Sequence, residues 1–439
     1  MVLVTLLLEE TNYGWVYPIR CKGNKLLVLC SGGSTSPYYV QIKEYDISTS
    51  PPTLLRSSPI LGGSSGWLEF DAVAFDEVNK KIICAGAEHK IIIMDYDDFS
   101  KYTVLDIPNG DRYLISIAID RANNKIYISS SNPMGQGSSH VYISPYDQFL
   151  AGNPSWTVKD LNSILNLGYA NPETQVRIFK GVLYALIIDC VNVIKTTLAK
   201  STNFGDTWTI VRQSSSTSST TRAHYPKIDA NDYALAYSFI DTDDYWKTAI
   251  TTDEVNFTVI NEGYTDLSQT GGEWHVTVHT FGKYVVTVWN NRLDQGGGPA
   301  TYQVRIYDLN GNKLYDSGQI GSSFPAHDGR QGLVDDYGRM IITGCIWNGS
   351  TANGKLVLIQ ADVMPRLSLS LSGSTLIATL TDQNGSPLSG KTLVLEEVKY
   401  INGANRLNTN PVTKTTGNDG KATFTVNQNT WYQVIYIPT

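Results

Sequence analysis

Seven times along the chain an apolar strand runs into a short polar turn and returns as a second apolar strand. The clearest copies are Phe75-Asp76-Glu77-Val78-Asn79-Lys80-Lys81-Ile82-Ile83-Cys84 and Ile119-Asp120-Arg121-Ala122-Asn123-Asn124-Lys125-Ile126-Tyr127-Ile128. Looser copies centre on Lys22 to Lys25, Lys180-Gly181, Asp229 to Asp232, Gly282-Lys283 and Asp335 to Arg339. They recur at intervals of roughly fifty residues, a period that belongs to propellers and solenoids. Each period has room for four short strands, written A to D outward from a common axis. The last period lacks its fourth. The apolar segment Val2 to Glu9 is the natural strand to complete it, because pairing there removes two exposed edges at once. The reading is therefore all-β, with a seven-bladed β-propeller over residues 1–363 closed by its N-terminal strand.

After Met364-Pro365 the hairpin grammar stops. Alternating strands are expected at Leu367 to Leu371, Thr375 to Thr381, Lys391 to Val398, Lys421 to Val426 and Tyr432 to Ile437. Turn signals such as Gln383-Asn384-Gly385 and Asn418-Asp419-Gly420 separate them, so residues 364–439 read as a small β-sandwich. The run Asp382-Gln383-Asn384-Gly385-Ser386-Pro387-Leu388-Ser389-Gly390-Lys391, followed by Thr415-Thr416-Gly417-Asn418-Asp419-Gly420-Lys421-Ala422, resembles the bacterial Ig-like domains of invasin-type adhesins. That resemblance implies a spacer or attachment unit without catalysis.

A second motif, Ser201-Thr202-Asn203-Phe204-Gly205-Asp206-Thr207-Trp208, resembles the Asp-box of sialidase-type (BNR-like) propellers, S-x-D-x-G-x-T-W, with Asn203 where that family has Asp. The resemblance gives Ser201, Asn203, Gly205, Thr207 and Trp208 a structural role in the turn between the third and fourth strands of a blade. A degenerate copy stands at Thr251-Thr252-Asp253-Glu254-Val255-Asn256-Phe257. The sialidase catalytic set does not carry over. Tyr17-Pro18-Ile19-Arg20 has the wrong order for the Arg-Ile-Pro signature, seven periods exceed that family's six, and only Arg112, Arg177, Arg222 and Arg330 near inner-strand starts match its arginines.

Charged residues are only 17% of the chain, the net charge is -7, and there is no basic run to follow a phosphate backbone, which argues against nucleic acid. The N-terminal MVLVTLLLEE lacks a basic flank and a cleavage site, so it is read as a strand and not a signal peptide. No run is long enough for a membrane span, so no direct membrane insertion is expected. The five cysteines form no CxxC pair, and four of them (Cys30, Cys84, Cys190 and Cys345) end or sit inside apolar strand runs, the pattern of packed hydrophobes. His275 and His279 lie four apart on a strand, about 13 Å, too far to share one metal. Asp241-Thr242-Asp243-Asp244 has both the clustered carboxylates that calcium requires and the composition of an ordinary acidic turn. No cofactor is expected. The run Ser214 to Thr221 reads as a loop between the fourth and fifth periods.

The A-to-B turns are short and the B-to-C loops, on the opposite rim, are long, which marks that rim as the working face. The D-to-A crossings on the same rim gather Trp15, Trp67, Glu69, Arg112, Tyr113, Arg222, His224, Tyr225, Glu273, Trp274, His275, His327, Asp328 and Arg330, with Tyr13, Glu173 and Gln175 beside them. Aromatic rings interleaved with carboxylates and guanidinium groups suit sugars, whose CH faces stack while hydroxyls bond polar groups. The competing reading is that they plug the hub. A non-enzymatic surface structural or adhesion protein is expected: a virion component (capsid decoration, spike or tail fibre) or an extracellular one. Its rim would bind a surface glycan or protein receptor, and its Ig-like tail other structural subunits of a larger assembly. The alternative is a carbohydrate-active enzyme, a glycoside hydrolase or lyase, drawing two carboxylates from Glu69, Asp71, Glu173, Glu273 and Asp328.

Overall fold

In the computed structural model, one carboxylate per turn explains why the two clearest repeats look alike. Asp76 Oδ1 accepts the N–H of Val78 at 2.9 Å and of Asn79 at 3.0 Å, and Oδ2 accepts Asn79 Nδ2 at 2.8 Å. Asp120 takes the backbone and side-chain N–H of Asn123 at 3.2 and 2.8 Å. Lys80 and Asn124 then turn the chain back with φ of 50° and 52°. Asp and Asn serve here because their short side chains bond turn amides. The structure describes the chain except residues 1–2, 11–12, 14, 33–38, 63–71, 87–89, 109–112, 132–138, 171, 190–193, 217–226, 244, 266–272, 293–300, 319, 322–331, 335–339, 348–351, 361–364, 383–384, 402–404, 428–429 and 438–439.

The hairpins grow into antiparallel sheets taken in chain order. The first holds Trp15–Lys22, Lys25–Ser31, Tyr39–Asp46 and Thr53–Ser57; the second holds Ala72–Asp76, Lys81–Ala85, Lys90–Asp95 and Tyr102–Asp106. Tyr113–Asp120, Lys125–Ser131, His140–Pro145 and Thr157–Asp160 form the third. Pro172–Phe179, Val182–Asp189, Lys195–Ser201 and Thr209–Ser215 form the fourth, joined to the third by the bridge Ser131–Glu173. The fifth holds Ile228–Ala230, Leu235–Ile240, Tyr245–Thr251 and Thr258–Thr265; the sixth holds Glu273–Phe281, Tyr284–Arg292, Thr301–Asp308 and Lys313–Asp316. The last starts with Gly332–Val334, Met340–Trp347 and Ala352–Gln360.

Its fourth strand is Leu3–Glu10, paired antiparallel from Leu3–Gln360 to Glu10–Gly354. The expected closure by the N-terminal strand is therefore present. The first strands touch in cyclic order, each meeting the next, and Gly332–Val334 returns to Trp15–Lys22. Apolar cores lie between successive sheets. Leu29, Ile42, Ile82 and Met94 fill the first gap, and Leu8, Val16, Val28 and Ile341 join the last sheet to the first. Cys21, Cys30 and Cys84 are buried and not disulfide-bonded, as packed hydrophobes should be.

Three local features were not foreseen. Short helices Tyr146–Leu150 and Leu161–Ile164 flank the outer strand of the third sheet, the second capped by Asp160 on the Ser163 N–H. Ser214 and Ser215, read as loop, complete a strand paired to Thr196 and Lys195. Among the described residues the C-terminal segment has six strands where five were expected. Arg366–Ser372, Thr375–Thr381 and Lys421–Thr425 form one sheet; Asn405–Thr415, Thr392–Ile401 and Trp431–Ile437 form the other. The missed strand, Asn405–Thr415, is rich in Asn and Thr, contains Pro411, and lies at a sheet edge where apolar alternation is not needed. The two sheets share a core of Ala378, Leu380, Leu393, Leu395, Ala422 and Phe424.

His279, on the first strand of the sixth sheet, is buried, and Nε2 meets no partner among the described residues. Burial first, then Lys227 and Arg177, push its pKa well below the usual value, so the folded chain holds it neutral. The unfolded chain takes up that proton below about pH 6.5. Stability is thus complete above that pH and falls, by up to about 1.4 kcal/mol per unit, as pH drops toward the folded value. Urea midpoints measured between neutral and mildly acidic pH are expected to decline, and His279→Gln to flatten the decline. An unchanged slope in that variant would refute the assignment.

Candidate functional site

The rim bearing the B-to-C connections is approached first through backbone positions. Trp15 pairs with Ser31, Tyr113 with Ser131, and Glu273, Trp274 and His275 with Arg292, Asn291 and Asn290. All five positions therefore sit where the first strands begin, beside the B-to-C connections. Trp67, Glu69, Asp71, Arg112, Arg222, His224, Tyr225, His327, Asp328 and Arg330 lie outside the described residues.

Two neighbours of this set are structural. Tyr13 is buried, donates to Gln41 Oε1 at 2.8 Å, and carries Lys43 Nζ 4.9 Å from its ring centroid; burial pushes its phenol up to about 12. Gln175 Oε1 accepts the Ile228 N–H at 3.4 Å. Arg177, expected near a strand start, instead lies opposite Tyr184 toward the other end of its strand. Its Nε faces Asp229 Oδ1 at 3.4 Å and its Nη1 donates to the Val176 carbonyl at 2.8 Å, so it does not join the rim.

On the opposite rim, Ser201–Trp208 forms the turn between the third and fourth strands of the fourth sheet. Asn203 Oδ1 accepts Ser201 Oγ–H at 3.0 Å and the Thr207 N–H at 2.9 Å, while Nδ2 donates to Thr207 Oγ1 at 2.9 Å. The Gly205 N–H donates to Ser201 Oγ at 2.8 Å, and Trp208 Nε1 to the Gly205 carbonyl at 3.0 Å. Gly205 suits its φ of +92°, which other residues rarely adopt, and a Cβ there would also press on the end of the Ile143 side chain. Trp208 packs among Tyr127 and Ile143 of the third sheet and Val176 and Leu183 of the fourth. Thr251–Asn256 repeats the arrangement, with Asp253 Oδ1 accepting the N–H of Val255 at 3.0 Å and of Asn256 at 2.8 Å. These bonds hold the Asp253 carboxyl well below the usual carboxylate range, the Asn256 side chain contributing most.

Sequence reasoning missed a second repeated device. Tyr45-Asp46, Tyr96-Asp97, Tyr146-Asp147 and Tyr307-Asp308 stand at or just after the ends of third strands. Each tyrosine hydroxyl donates to a carboxylate of the preceding sheet: Tyr45 to Glu10, Tyr96 to Glu44 at 2.6 Å, Tyr146 to Asp76, and Tyr307 to Glu262 at 2.9 Å. A cation completes each cluster: Lys43 on Glu10 at 2.8 Å, Arg56 on Glu44 at 2.7 Å, Arg121 on Asp76, and Arg305 on Glu262 at 2.9 Å. These buried carboxylates are fully partnered, which burial demands. The signal available in the sequence was the recurrence of Tyr-Asp at the repeat period, in place of the Trp-Asp that marks other propellers.

The same rim carries the C-terminal sheets. Tyr233, in the A-to-B turn of the fifth sheet, accepts Gln433 Nε2 at 2.8 Å and donates to Glu396 Oε2 at 3.3 Å. Gln433 Nε2 also donates to Glu396 Oε2 at 2.8 Å, and Lys283 Nζ sits 5.4 Å from the Tyr233 ring centroid. Beside it Tyr284 is buried next to Tyr436; burial first and that neighbour second push its phenol up. At the acidic turn, Lys247 Nζ reaches Asp243 Oδ2 at 2.8 Å and Asp241 Oδ2 at 3.4 Å. Lys247 thus supplies a positive charge to these two carboxylates, and Asp244 lies outside the described residues. Among the described residues no cluster of His, Cys, Asp and Glu has the arrangement of a metal site. No helix is long and apolar enough to cross a membrane.

No family model matches the chain, and no curated protein is similar to it. Among solved structures it is similar to U3-55K, with a TM-score of 0.51 and 9% identity over 82% of this chain and 98% of that one. It is also similar to the Cps50 (Swd1) β-propeller domain of Myceliophteria thermophila, at a TM-score of 0.47 and 10% identity over 81% of this chain and 99% of that one. The fold is a β-propeller. At these identities the likeness extends to the fold alone, and function rests on the site.

Proposed function

We propose that this chain is a non-enzymatic surface structural or adhesion protein of a virion or extracellular assembly, binding a glycan or protein receptor through one propeller rim. In this reading the ring has seven blades over residues 1–363, and residues 364–439 are an Ig-like attachment module. The Ser201–Trp208 and Thr251–Asn256 turns are Asp-box turns with a packing role. The observation that carries the reading is the Tyr233–Glu396–Gln433 contact. It occupies the rim of short turns with the terminal sheets and leaves the rim of long connections for a ligand. Trp15, Tyr113, Glu273, Trp274 and His275 begin their strands on that second rim. Receptor sites favour such loops on a rigid scaffold.

The test is a glycan array probed with the intact chain, followed by incubation with any hit. Binding without turnover is expected, lost when Trp67→Ala and Trp274→Ala are combined. Turnover of a bound glycan would replace the adhesion reading with a glycoside hydrolase or lyase using rim carboxylates. Binding that survives both substitutions would move the site away from this rim.

A further inference from the structure

We infer that the edge strand Arg366–Ser372 of the terminal sheets is a self-association surface that takes the same strand of a second copy of this chain. This inference does not rest on what the propeller rim binds. The strand is hydrogen-bonded to Thr375–Thr381 on one side and stands at the edge of its sheet. Its sequence alternates Leu367, Leu369 and Leu371 with Ser368, Ser370 and Ser372. Leu367 packs against the shared core, so strand alternation turns Leu369 and Leu371 to the same inner face. Yet those two leucines are 50% and 64% exposed. They open into a groove of about 460 Å³ floored by Leu376, Val426 and Tyr432, and none of its described lining residues is charged.

Natural sheet edges are usually blunted by lysine, proline or a bulge. The edge of the facing sheet follows that rule: Asn405–Thr415 carries Pro411 and a register shift opposite Leu395 to Glu397. Arg366–Ser372 carries a charge only at its first residue and no proline, and its register with Thr375–Thr381 is unbroken from Arg366–Thr381 to Ser372–Thr375. Glu396 and Gln433, which bond Tyr233, belong to the other sheet, so that contact does not use this edge strand.

Charge and pattern select the occupant. A two-fold axis through Leu369 would place Leu367 opposite the second copy's Leu371, Ser368 opposite its Ser370, and Leu369 opposite its own counterpart. Every leucine then faces the joined grooves and every serine faces water. The strand's one charge, Arg366, would fall opposite Ser372, leaving the two guanidinium groups at opposite ends of the ladder, roughly 20 Å apart. Parallel pairing would set them side by side. A one-residue slip would turn the leucines to solvent. A charged partner strand would find no counter-charge in the groove.

Sedimentation velocity of the full chain over a range of concentrations reads this directly. A monomer–dimer equilibrium is expected, weakened about tenfold or more by Leu371→Lys, which places a charge on the pairing edge. Thermal unfolding and glycan binding of that variant should match the parent, because the side chain is mostly exposed and remote from the rim. Under mild oxidation Leu369→Cys is expected to yield a disulfide-linked dimer and Ser372→Cys to remain unlinked. A chain that stays monomeric at high micromolar concentration would overturn the inference. So would a dimer indifferent to Leu371→Lys, or equal cross-linking at both positions.

Discussion

Deleting residues 1–10 is expected to abolish cooperative unfolding and drive the chain into aggregates. The segment supplies Leu3–Glu10, the outer strand of the last sheet, and with it the bonds from Leu3–Gln360 to Glu10–Gly354. Its removal exposes the apolar edge Ala352–Gln360, the kind of edge that pairs with other chains. The loss extends beyond that sheet. Leu8 belongs to the core joining the last sheet to the first, and Glu10 receives Tyr45 and Lys43 of the first sheet. Tyr45 and Lys43 would lose a buried acceptor, each such loss costing about 1–3 kcal/mol. Far-UV circular dichroism melts and size-exclusion chromatography measure the outcome. A peptide spanning residues 1–11, added in trans, should restore a sharp transition if strand pairing is the cause. A truncated chain that melts like the parent would show that the ring does not depend on this closure.

Trp208→Ala is expected to cost about 3–5 kcal/mol, the range for removing a buried tryptophan. The side chain is 7% exposed and fills the gap between the third and fourth sheets beside Tyr127, Ile143, Val176 and Leu183. Its indole N–H bonds the Gly205 carbonyl within the turn, so the substitution also loosens the turn that places it. Asn203→Ala, which removes the bonds to Thr207 and Ser201 but leaves the tryptophan, should cost only about 1–2 kcal/mol. Urea unfolding followed by circular dichroism compares the two. The pair discriminates an interlocking role from a merely local one: equal losses would mean that the turn, and not the inter-sheet packing, carries the stability.

How far the residues alone could be read depends on the range of the interaction. Phe75 to Cys84 and Ile119 to Ile128 announce their hairpins because Asp76 and Asp120 bond amides two or three residues away. The apolar run that follows Lys25 likewise becomes the strand Lys25–Ser31, buried on both faces. Asn405–Thr415 was not legible, since an edge strand with Pro411 carries little of the apolar alternation that marks buried strands. The Tyr-Asp pairs were visible as dipeptides, yet their partners Glu10, Glu44, Asp76 and Glu262 come from different strands of the preceding sheet and share no local pattern. Arg177 illustrates the limit at the site. It was read as lying near an inner-strand start, whereas the strand begins at Pro172 and sets Arg177 opposite Tyr184 toward the other end, beside Asp229 of the next sheet.

By itself the sequence determined that this is an all-β chain of repeated hairpins with an N-terminal strand in need of a partner and a compositional break near Met364. Turns, strand periodicity and an unmatched strand count all follow from interactions within a few residues. Only the tertiary structure decided which carboxylate each tyrosine meets and that Tyr233 holds Glu396 and Gln433. It alone also revealed that Leu369 and Leu371, inward by alternation, remain uncovered. Those outcomes depend on how whole sheets stack. Stacking is set by the summed shape of many side chains, which no single stretch of the chain encodes.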